Sequence, residues 1–451
     1  MTDPKAAEQK ALDLLDKVIA KALKAGADAA DAVAFESMSL TASCRLGEPE
    51  DVERSEGNDL GLRLFVGQRQ AFVSTTDTHE DALDALVERA YSMAKLAPED
   101  PYCGLADPTR LAKSVADLDL RDDNEQSADA LLATALAAED AGRAVPGVTN
   151  SEGGQASWGQ STVALATSGG YAGAYGATSH GIACAVVAEG ENGMERDYDH
   201  SSARHIADLT DAETIGRGAG ERTVKRLDPR KVASCTVPVV YDPRASGGLI
   251  GHLAAAVNGV SVARGTSFLK DAMGDQIFAP GITITDDPLR QRGLRSKPVD
   301  GEGVATARLD LIADGILQSW LLDSAAAKQL GLATTGHASR GTASPPSPST
   351  TNLYMAAGTV DPETLIEDIE SGFYVTELIG MGVNMVSGDY SRGAAGFWIE
   401  NGEIAYPVSE LTVAGNLRDM FAAIVPADDL VFRYGTNAPT LRIDTMTVAG
   451  S

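Results

Sequence analysis

Few residues in this chain combine a reactive side chain with a spacing suited to catalysis or metal binding. The chain has six histidines and four cysteines. No two cysteines form a CxxC pair, and no two histidines flank a glutamate at the i, i+4 spacing of a metalloprotease helix. His200 and His205 are close in sequence, but two histidines do not supply the three or four ligands that zinc needs. This leaves one position of interest, a histidine that stands among glycines.

That histidine is His252, in a segment (241–265) that predicts a helix. Pro243 suits the first turn, where its missing N–H would be unpaired anyway, and Gly259 suits the left-handed residue past the helix end. Three glycines fall within two turns: Gly247, Gly248 and Gly251. Each costs about 1 kcal/mol relative to alanine in a helix interior, so a specific reason for them is expected.

Two explanations of these glycines stay open. On a helical wheel the apolar stripe is Leu249, Ile250, Leu253 and Val257, and the stripe of small residues is Gly247, Gly251, Ala254, Ala255 and Asn258. The small stripe predicts either close approach of another backbone, with His252 as a hydrogen-bonded packing residue, or a site whose side chains have been lost.

The elements that position this helix predict an α+β fold. Residues 5–25 and about 79–97 have helical periodicity, and alternating stretches between 30 and 77 predict strands with a turn at Gly67-Gln68. We expect residues 1–100 to form an N-terminal domain of helices and antiparallel sheet.

A middle α/β segment is expected at residues 101–228. A proline-containing acidic linker opens it, and Ser127 then caps a helix. Stretches between 147 and 203 predict consecutive antiparallel strands, and the capping box Thr210-x-x-Glu213 predicts a helix that runs to about Arg226.

Residues 229–451 predict a larger β-rich C-terminal domain. Asp314-Gly315 and Asn401-Gly402 are strong hairpin signals, because both dipeptides accept positive φ at low cost. Residues 337–353 form a Pro/Ser/Thr loop of a length that is usually functional or disordered. A helix is predicted at 361–371, with Asp361 as its cap.

Composition excludes several classes of partner. The net charge of −27 opposes binding to nucleic acid and to anionic membranes. No run of about 18 apolar residues and no signal-peptide pattern occurs, so we expect a cytoplasmic protein. The four cysteines are expected to be reduced and structural: Cys44, Cys103, Cys184 and Cys235.

Several long stretches resemble the TldD/PmbA family, and specifically its PmbA (TldE) branch. They include YDPRASGGLIGHLAAAVNG from residue 241, VARGTSFL at 262–269, SPPSPSTTNL at 344–353 and GVNMVSGDYSRGAAGFWIENGEIAYPVSELTVAGNL at 382–417. GLRLFVGQRQAFVSTTD, from residue 61, also fits, so the resemblance covers most of the chain.

The family resemblance offers a specific explanation for two of these glycines. The TldD branch carries His-Glu-x-x-x-His on this helix, where the two histidines bind zinc, the glutamate is the general base and a cysteine near the C-terminus completes the site. Gly247 and Gly248 stand at the first ligand and the base, only His252 is kept, and the last cysteine is Cys235. Glycine offers neither a zinc ligand nor a proton acceptor, so we expect no catalytic residue and no metal site in this chain.

The resemblance therefore implies a non-catalytic subunit of a TldD/TldE metallopeptidase complex that degrades or processes unfolded and short peptides. Zinc would belong to a TldD-like paralogue, the partner in a heterodimer. Expected contacts with substrate or partner are Asp389, Tyr390, Ser391 and Arg392 in a predicted loop, together with the loop at Ser344–Asn352. A standalone homodimeric binding or scaffold protein, or a gyrase-associated regulator of the kind that older family naming suggests, stays open as the alternative.

Overall fold

The structure, a computed structural model, describes residues 4–450 and is a mixed helix and sheet protein, as predicted. The first half of the chain builds one sheet. Its elements are α1 (Pro4–Lys24), β1 (Ala29–Arg45), β2 (Glu48–Val66), β3 (Arg69–Thr75), α2 (Glu80–Leu96), α3 (Ala128–Arg143), β4 (Val148–Thr167), β5 (Ala172–Gly190), β6 (Gly193–Ala203) and α4 (Ala212–Lys225). The strands are all antiparallel, in the order β3-β2-β1-β4-β5-β6. Because β1 pairs with β4, strands from both sides of residues 100–101 share this sheet.

Helices cover this sheet where its side chains are apolar. Leu15 of α1 and Leu83 of α2 are fully buried with Leu62 and Leu64 of β2, which alternate toward one face. The helices α3 and α4 pack on each other and on β4, β5 and β6. Ser127 caps α3 as predicted, since its hydroxyl accepts from the N–H of Ala130.

The predicted start of α4 is wrong by one residue. Asp211, not Thr210, is the cap, and its carboxylate accepts from the N–H of Thr214 at 2.8 Å. A carboxylate at the positive end of a helix is at least as good a cap as a hydroxyl, which explains the shift.

The second half of the chain contains the remaining elements. They are β7 (Cys235–Tyr241), α5 (Pro243–Ala256), α6 (Gly259–Ala263), β8 (Ile284–Asp286), β9 (Leu309–Ala313), β10 (Ile316–Leu317), α7 (Ser324–Leu330), β11 (Ala338–Ser339), β12 (Ser347–Pro348), β13 (Leu353–Met355), α8 (Pro362–Ile366), β14 (Ser371–Ile379), β15 (Asp389–Glu400), β16 (Glu403–Asn416), α9 (Leu417–Ala423), β17 (Val425–Pro426), β18 (Thr436–Asn437) and β19 (Leu441–Ala449).

Five of these strands close on themselves. They pair in the order β16-β15-β14-β7-β19, and β19 pairs again with β16. Closure of this kind removes the free edges of the sheet. A second sheet has the order β10-β9-β8-β13-β18, and α5 contacts β7 and β14 of the closed sheet and β13 and β18 of the second.

Both predicted hairpin turns are confirmed. Asp314 and Gly315 have φ of 49° and 77°, and Asn401 and Gly402 have φ of 51° and 80°. Two successive residues with positive φ match the right-handed twist of the flanking strands, which is why these dipeptides suit the turn.

The end of the glycine-rich helix differs from the prediction. α5 ends at Ala256, and Asn258 caps α6 by accepting from the N–H of Val260 at 3.0 Å. Gly259 therefore begins a helix and is not a left-handed terminator. A Cβ at Gly259 would meet the main-chain oxygen of Leu321 at 2.9 Å, so close packing explains the glycine.

Two other C-terminal predictions are corrected. The helix predicted at 361–371 has only five residues, although Asp361 does cap it. It ends early because Ile369 and Glu370 accept main-chain hydrogen bonds from the β15–β16 turn, and β14 then starts at Ser371. The loop at 337–353 is folded: β11 pairs with β12, and Thr342 packs so closely on β2 that a Cβ at Gly61 would lie 2.4 Å from its oxygen.

No helix within residues 4–450 is long and apolar enough to cross a membrane.

Candidate functional site

A cleft of about 660 Å³ lies where the first sheet meets the start of α5. β6 forms one wall and the end of β14 forms the other, while Gly248 of α5 and Arg392 of β15 complete the lining. The cleft thus includes parts of the glycine-rich helix and of the 389–392 segment, two stretches singled out from the sequence.

A network of ion pairs fixes the walls of the cleft. Arg244, in the first turn of α5, places two guanidinium nitrogens 3.0 Å from Oδ1 of Asp197, and its guanidinium stacks 4.4 Å from the ring of Tyr198. Arg226, which caps the C-terminal end of α4, reaches Glu377 at 2.7 Å and Asp197 at 3.4 Å. Burial opposes the charge of Arg244, but Asp197 and Tyr198 outweigh burial and raise its pKa. The network holds β6, α4, α5 and β14 together.

Asp242, the residue before α5, caps the start of this helix. Asp242 accepts from the N–H of Arg244 at 2.9 Å and from the hydroxyl of Tyr374 at 3.1 Å. Pro243 occupies the first helical position, as predicted. The predicted apolar stripe is also confirmed, because Leu249, Ile250, Leu253 and Val257 are all fully buried.

The glycines of α5 do not all serve close packing. A Cβ at Gly247 would lie 3.1 Å from the main-chain oxygen of Thr436, so a backbone does approach there. Apart from adjacent residues and the backbone of the helix itself, no atom of residues 4–450 lies within 4 Å of the Cβ positions of Gly248 and Gly251, and both glycines are exposed. Backbone approach therefore accounts for one glycine of the three, and the outward face of the helix is bare.

His252 is half-buried beside this bare face. Its ring meets the ring of Tyr390 edge-on, with 5.8 Å between centroids. Burial, and then the charge of Arg392, lower the pKa of His252 below its ordinary value. The imidazole is consequently neutral near pH 7.

The four residues predicted to contact substrate have different environments. They lie at the start of β15 and not in a loop, because this segment pairs with β16. Asp389 accepts from Ser387 at 2.6 Å and from Asn416 at 3.2 Å, so it fixes the turn. Tyr390 is 1% exposed and belongs to the core. The exposed Ser391 donates its N–H to the oxygen of Gly382 at 2.7 Å.

Arg392 is the one of these four residues that faces the cleft. Its Nε donates to the main-chain oxygen of Ile379 at 3.3 Å. Among residues 4–450 no carboxylate lies within ion-pair distance of its guanidinium, whereas Arg244 and Arg226 are both paired. Arg392 therefore presents an uncompensated positive charge next to His252 and Gly248.

The loop at Ser344–Asn352 does not reach the cleft. Asn352 is buried, where its side chain accepts from Arg295 at 2.9 Å and donates to the oxygen of Asp287 at 2.7 Å. The oxygen of Pro348 accepts from Asn258, beyond the other end of α5. The loop ties elements of the C-terminal half together.

The residues around His252 do not fit a zinc ion. No group of three or more His, Cys, Asp or Glu side chains is arranged for a metal in the part of the chain that the structure describes. A guanidinium beside His252 repels a cation, and Gly247 and Gly248 bring no donor atoms. His200 packs between Tyr198 and Tyr434, whereas His205 contacts Asp119, so this pair shares no ligand position.

The four cysteines are free thiols, as expected. Burial raises the pKa of Cys44 to about 11 and that of Cys184 to about 12, so both are unreactive at neutral pH.

Sequence reasoning missed the ion-pair network. A usable signal was present in β6, where Glu195, Asp197 and Asp199 alternate and so share one face of a strand. Carboxylates on a largely buried face require cations opposite, and Arg226 at the end of α4 and Arg244 of α5 supply them.

Comparison with known proteins identifies the family. Three family models match: PmbA/TldA metallopeptidase domain 1 at residues 30–94, the central domain at 121–227 and the C-terminal domain at 234–450. The chain belongs to the PmbA/TldD metallopeptidase family. Within this family it falls in the PmbA branch.

Curated PmbA proteins match over nearly their whole length. The chain is 38% identical to Metalloprotease PmbA of Escherichia coli O157:H7, over 97% of this chain and 96% of that protein. It is 35% identical to the Metalloprotease PmbA homolog of Haemophilus influenzae, over 99% and 98%. This PmbA-type chain is therefore a protease-related protein of the TldD/TldE family.

Two solved structures share the fold of this chain. A Bacteroides thetaiotaomicron structure is 26% identical and superposes with a TM-score of 0.89, over 97% of this chain and 98% of that chain. TldE from Thermococcus kodakarensis is 22% identical with a TM-score of 0.86, over 97% and 100%, and so shares the fold.

Proposed function

We propose that this chain is the zinc-free subunit of a two-chain peptidase, paired in the cytoplasm with a TldD-like paralogue that holds the zinc and cuts the peptide. In this proposal the chain forms half of the heterodimer, and its cleft receives part of the substrate or of the partner. The substrates are unfolded and short peptides.

The outward face of α5 carries the proposal. Gly248 and Gly251 leave the middle of that face without side chains, while the fully buried Leu249, Ile250 and Leu253 keep the opposite face in the core. The helix thus retains its role in folding but offers no base and no complete set of metal ligands. A chain of this family with such a helix needs its chemistry from another subunit.

The open cleft is the second support. Its volume of about 660 Å³ suits a stretch of peptide, and the charge of Arg392 suits a carboxylate of a peptide or of the partner. Burial of the cleft between two chains would strengthen such a contact, because water screens it less.

Reconstitution tests the proposal. The chain and a TldD-like paralogue from the same source would be purified separately and together, and cleavage of an unfolded protein would be measured with mass determination of the complex. We expect no cleavage by this chain alone, a stable heteromeric complex, and cleavage by the complex. The control is a complex in which glutamine replaces the glutamate of the partner's zinc motif. Loss of cleavage in this complex would assign catalysis to the partner.

Other outcomes contradict the proposal. If the two chains never associate, and cleavage by the paralogue does not depend on this chain, the subunit role fails. Metal-dependent cleavage by this chain alone would contradict the assignment of zinc to the partner. A stable homodimer that ignores the paralogue would favour a standalone binding or scaffold protein.

A further inference from the structure

A second, smaller cavity lies at the junction between the first sheet and the C-terminal half of the chain. Its volume is about 200 Å³, and we call it the junction pocket. Apolar side chains form most of its wall: Val33, Phe35, Val163, Leu165 and Val299. The first four are cross-strand neighbours on β1 and β4, so the sheet itself builds one side of the pocket.

Two cationic side chains also line the junction pocket. Arg340 is only 2% exposed at its side chain and pairs through Nη1 with Asp31. Its Nε and Nη2 are buried and have no hydrogen-bond partner among residues 4–450. Lys297 donates from Nζ to the hydroxyl of Ser339 at 3.2 Å, and its pKa is lowered by burial.

Buried N–H groups without partners are costly, so this arrangement needs an acceptor. An unsatisfied buried donor loses about 1 to 3 kcal/mol, and more when it is charged. Arg340 has two such donors and stands beside a cavity that Lys297 also lines. This arrangement predicts that a molecule with acceptor oxygens occupies the junction pocket. A planar carboxylate matches the fork of a guanidinium.

Asp300 is the acidic group that lines the pocket, and it is already satisfied. Its oxygens accept from the main-chain N–H groups of Glu302 and Val304 at 2.9 Å and of Ala338 at 3.1 Å. Asp31 is shared between Arg340 and Arg63. The pocket lining therefore contains two cations, Arg340 and Lys297, and one carboxylate, Asp300, whose oxygens already accept from main-chain N–H groups.

We propose that the junction pocket binds a small carboxylate with an apolar or aromatic body. The apolar wall from β1 and β4 takes the body, and Arg340 and Lys297 take the carboxylate. At about 200 Å³ the pocket is below the usual range for drug-sized ligands and suits a group the size of one amino-acid residue. The C-terminal residue of a peptide and a free apolar acid share this chemistry. This site is separate from the cleft at α5 and does not depend on the proposed subunit role.

Calorimetric titration of the full chain tests this assignment. The probes are N-acetylphenylalanine, its neutral amide, phenylacetate, and a tripeptide that ends in phenylalanine. We expect the acid to bind at least about tenfold more tightly than the amide, because only the acid carries the charge that Arg340 and Lys297 can meet. Binding of the tripeptide points to a peptide end as the natural ligand, and binding of phenylacetate without the tripeptide points to a free acid.

Two variants locate the binding. Lys297→Met keeps the apolar stem and removes the charge, and Val163→Phe fills the cavity, while both leave the Asp31–Arg340 pair intact. We expect each to weaken acid binding by about tenfold or more. Lys231→Met, an exposed lysine outside the pocket, is the matched control and should leave binding unchanged.

The acid and amide comparison uses the unaltered chain, so it is decisive even if a variant fails to fold. Equal binding of acid and amide, or no saturable binding of any probe, would overturn the assignment. So would an acid affinity that is the same in Lys297→Met as in the unaltered chain.

Discussion

Two guanidinium nitrogens of Arg244 lie 3.0 Å from Oδ1 of Asp197, and this contact ties α5 to the first sheet. Arg244 stands in the first turn of α5, and Asp197 is on β6. The side chains are 15% and 5% exposed, so the pair is largely shielded from water. Because Asp197 also contacts Arg226, one carboxylate joins the helix, the first sheet and α4.

The first prediction concerns that carboxylate. Asp197→Ala leaves Arg244 without its partner in a largely buried position, and we expect the free energy of unfolding to fall by about 3 kcal/mol. Urea unfolding followed by circular dichroism measures the change. Lys231→Ala breaks the exposed pair with Glu410 and should have no measurable effect. Equal stability of Asp197→Ala and the unaltered chain would mean that the pair is solvated in solution.

The exposed glycines of α5 predict a substitution that raises the free energy of unfolding. Gly251→Ala places a methyl group in open space within a helix, and we expect it to raise the free energy of unfolding by about 0.5 to 1 kcal/mol. Gly247→Ala is the matched comparison and should gain less, because its Cβ would lie 3.1 Å from the oxygen of Thr436. Urea unfolding of both variants decides this. A loss of stability in Gly251→Ala would show that another chain packs on this face in solution.

The elements were readable from the sequence because their signals are local. Ser127 at the start of α3, Asp314-Gly315 in its hairpin and the apolar stripe of α5 depend on residues within one or two turns of each other. The resemblance to a family added the meaning of Gly247 and Gly248, which no periodicity contains.

The features that the sequence did not predict depend on contacts between residues that are far apart in the chain. The buried position of Tyr390 and the separation of the 344–352 loop from the cleft follow from the closure of β16 onto β19 and from the pairing of β11 with β12. Arg340 meets Asp31 across more than half of the chain. Neither local propensity nor spacing indicates such pairs.

Stability should also depend on pH through Glu302. Burial, with a further contribution from Asp300 and an opposing one from Arg63, raises the pKa of Glu302 to about 7 from an ordinary 4.5. Between these values the folded chain holds a proton that the unfolded chain has released, so this residue's contribution to stability falls as pH rises from about 4.5 to about 7 and stays low above it.

Glu302→Gln removes this titration. The variant and the unaltered chain should be equally stable below pH 4.5, and the variant should be more stable above pH 7, by up to about 3 kcal/mol. Glutamine can still accept from the N–H of Ser324, which Glu302 holds at 2.8 Å. Urea unfolding across this range measures the difference, with the exposed Glu403→Gln as control. A gap that narrows as pH rises would contradict the assignment.

Metal content is a separate prediction. After loading with zinc and desalting, we expect the chain alone to retain less than one zinc per chain, and His252→Ala to retain the same amount. The reason is that, among residues 4–450, the charged group that acts on the imidazole is the guanidinium of Arg392 and not a carboxylate. Elemental analysis measures both. A chelator should leave the urea midpoint of the chain unchanged. Stoichiometric zinc that disappears in His252→Ala would establish a metal site at α5.

The last prediction separates the electrostatic role of Arg392 from its role in packing. Arg392→Met keeps much of the stem and removes the charge that helps to lower the pKa of His252, so that pKa should rise while burial still holds it below its ordinary value. Proton NMR titration of the imidazole measures the shift.

In the reconstituted complex, if Arg392 meets a peptide carboxylate, the variant should raise KM for acidic and short peptides by about tenfold and leave kcat nearly unchanged. Arg196→Met, in the same cleft but paired with Glu152, is the matched control. A fall in kcat with unchanged KM would instead place Arg392 in assembly of the cutting site with the partner.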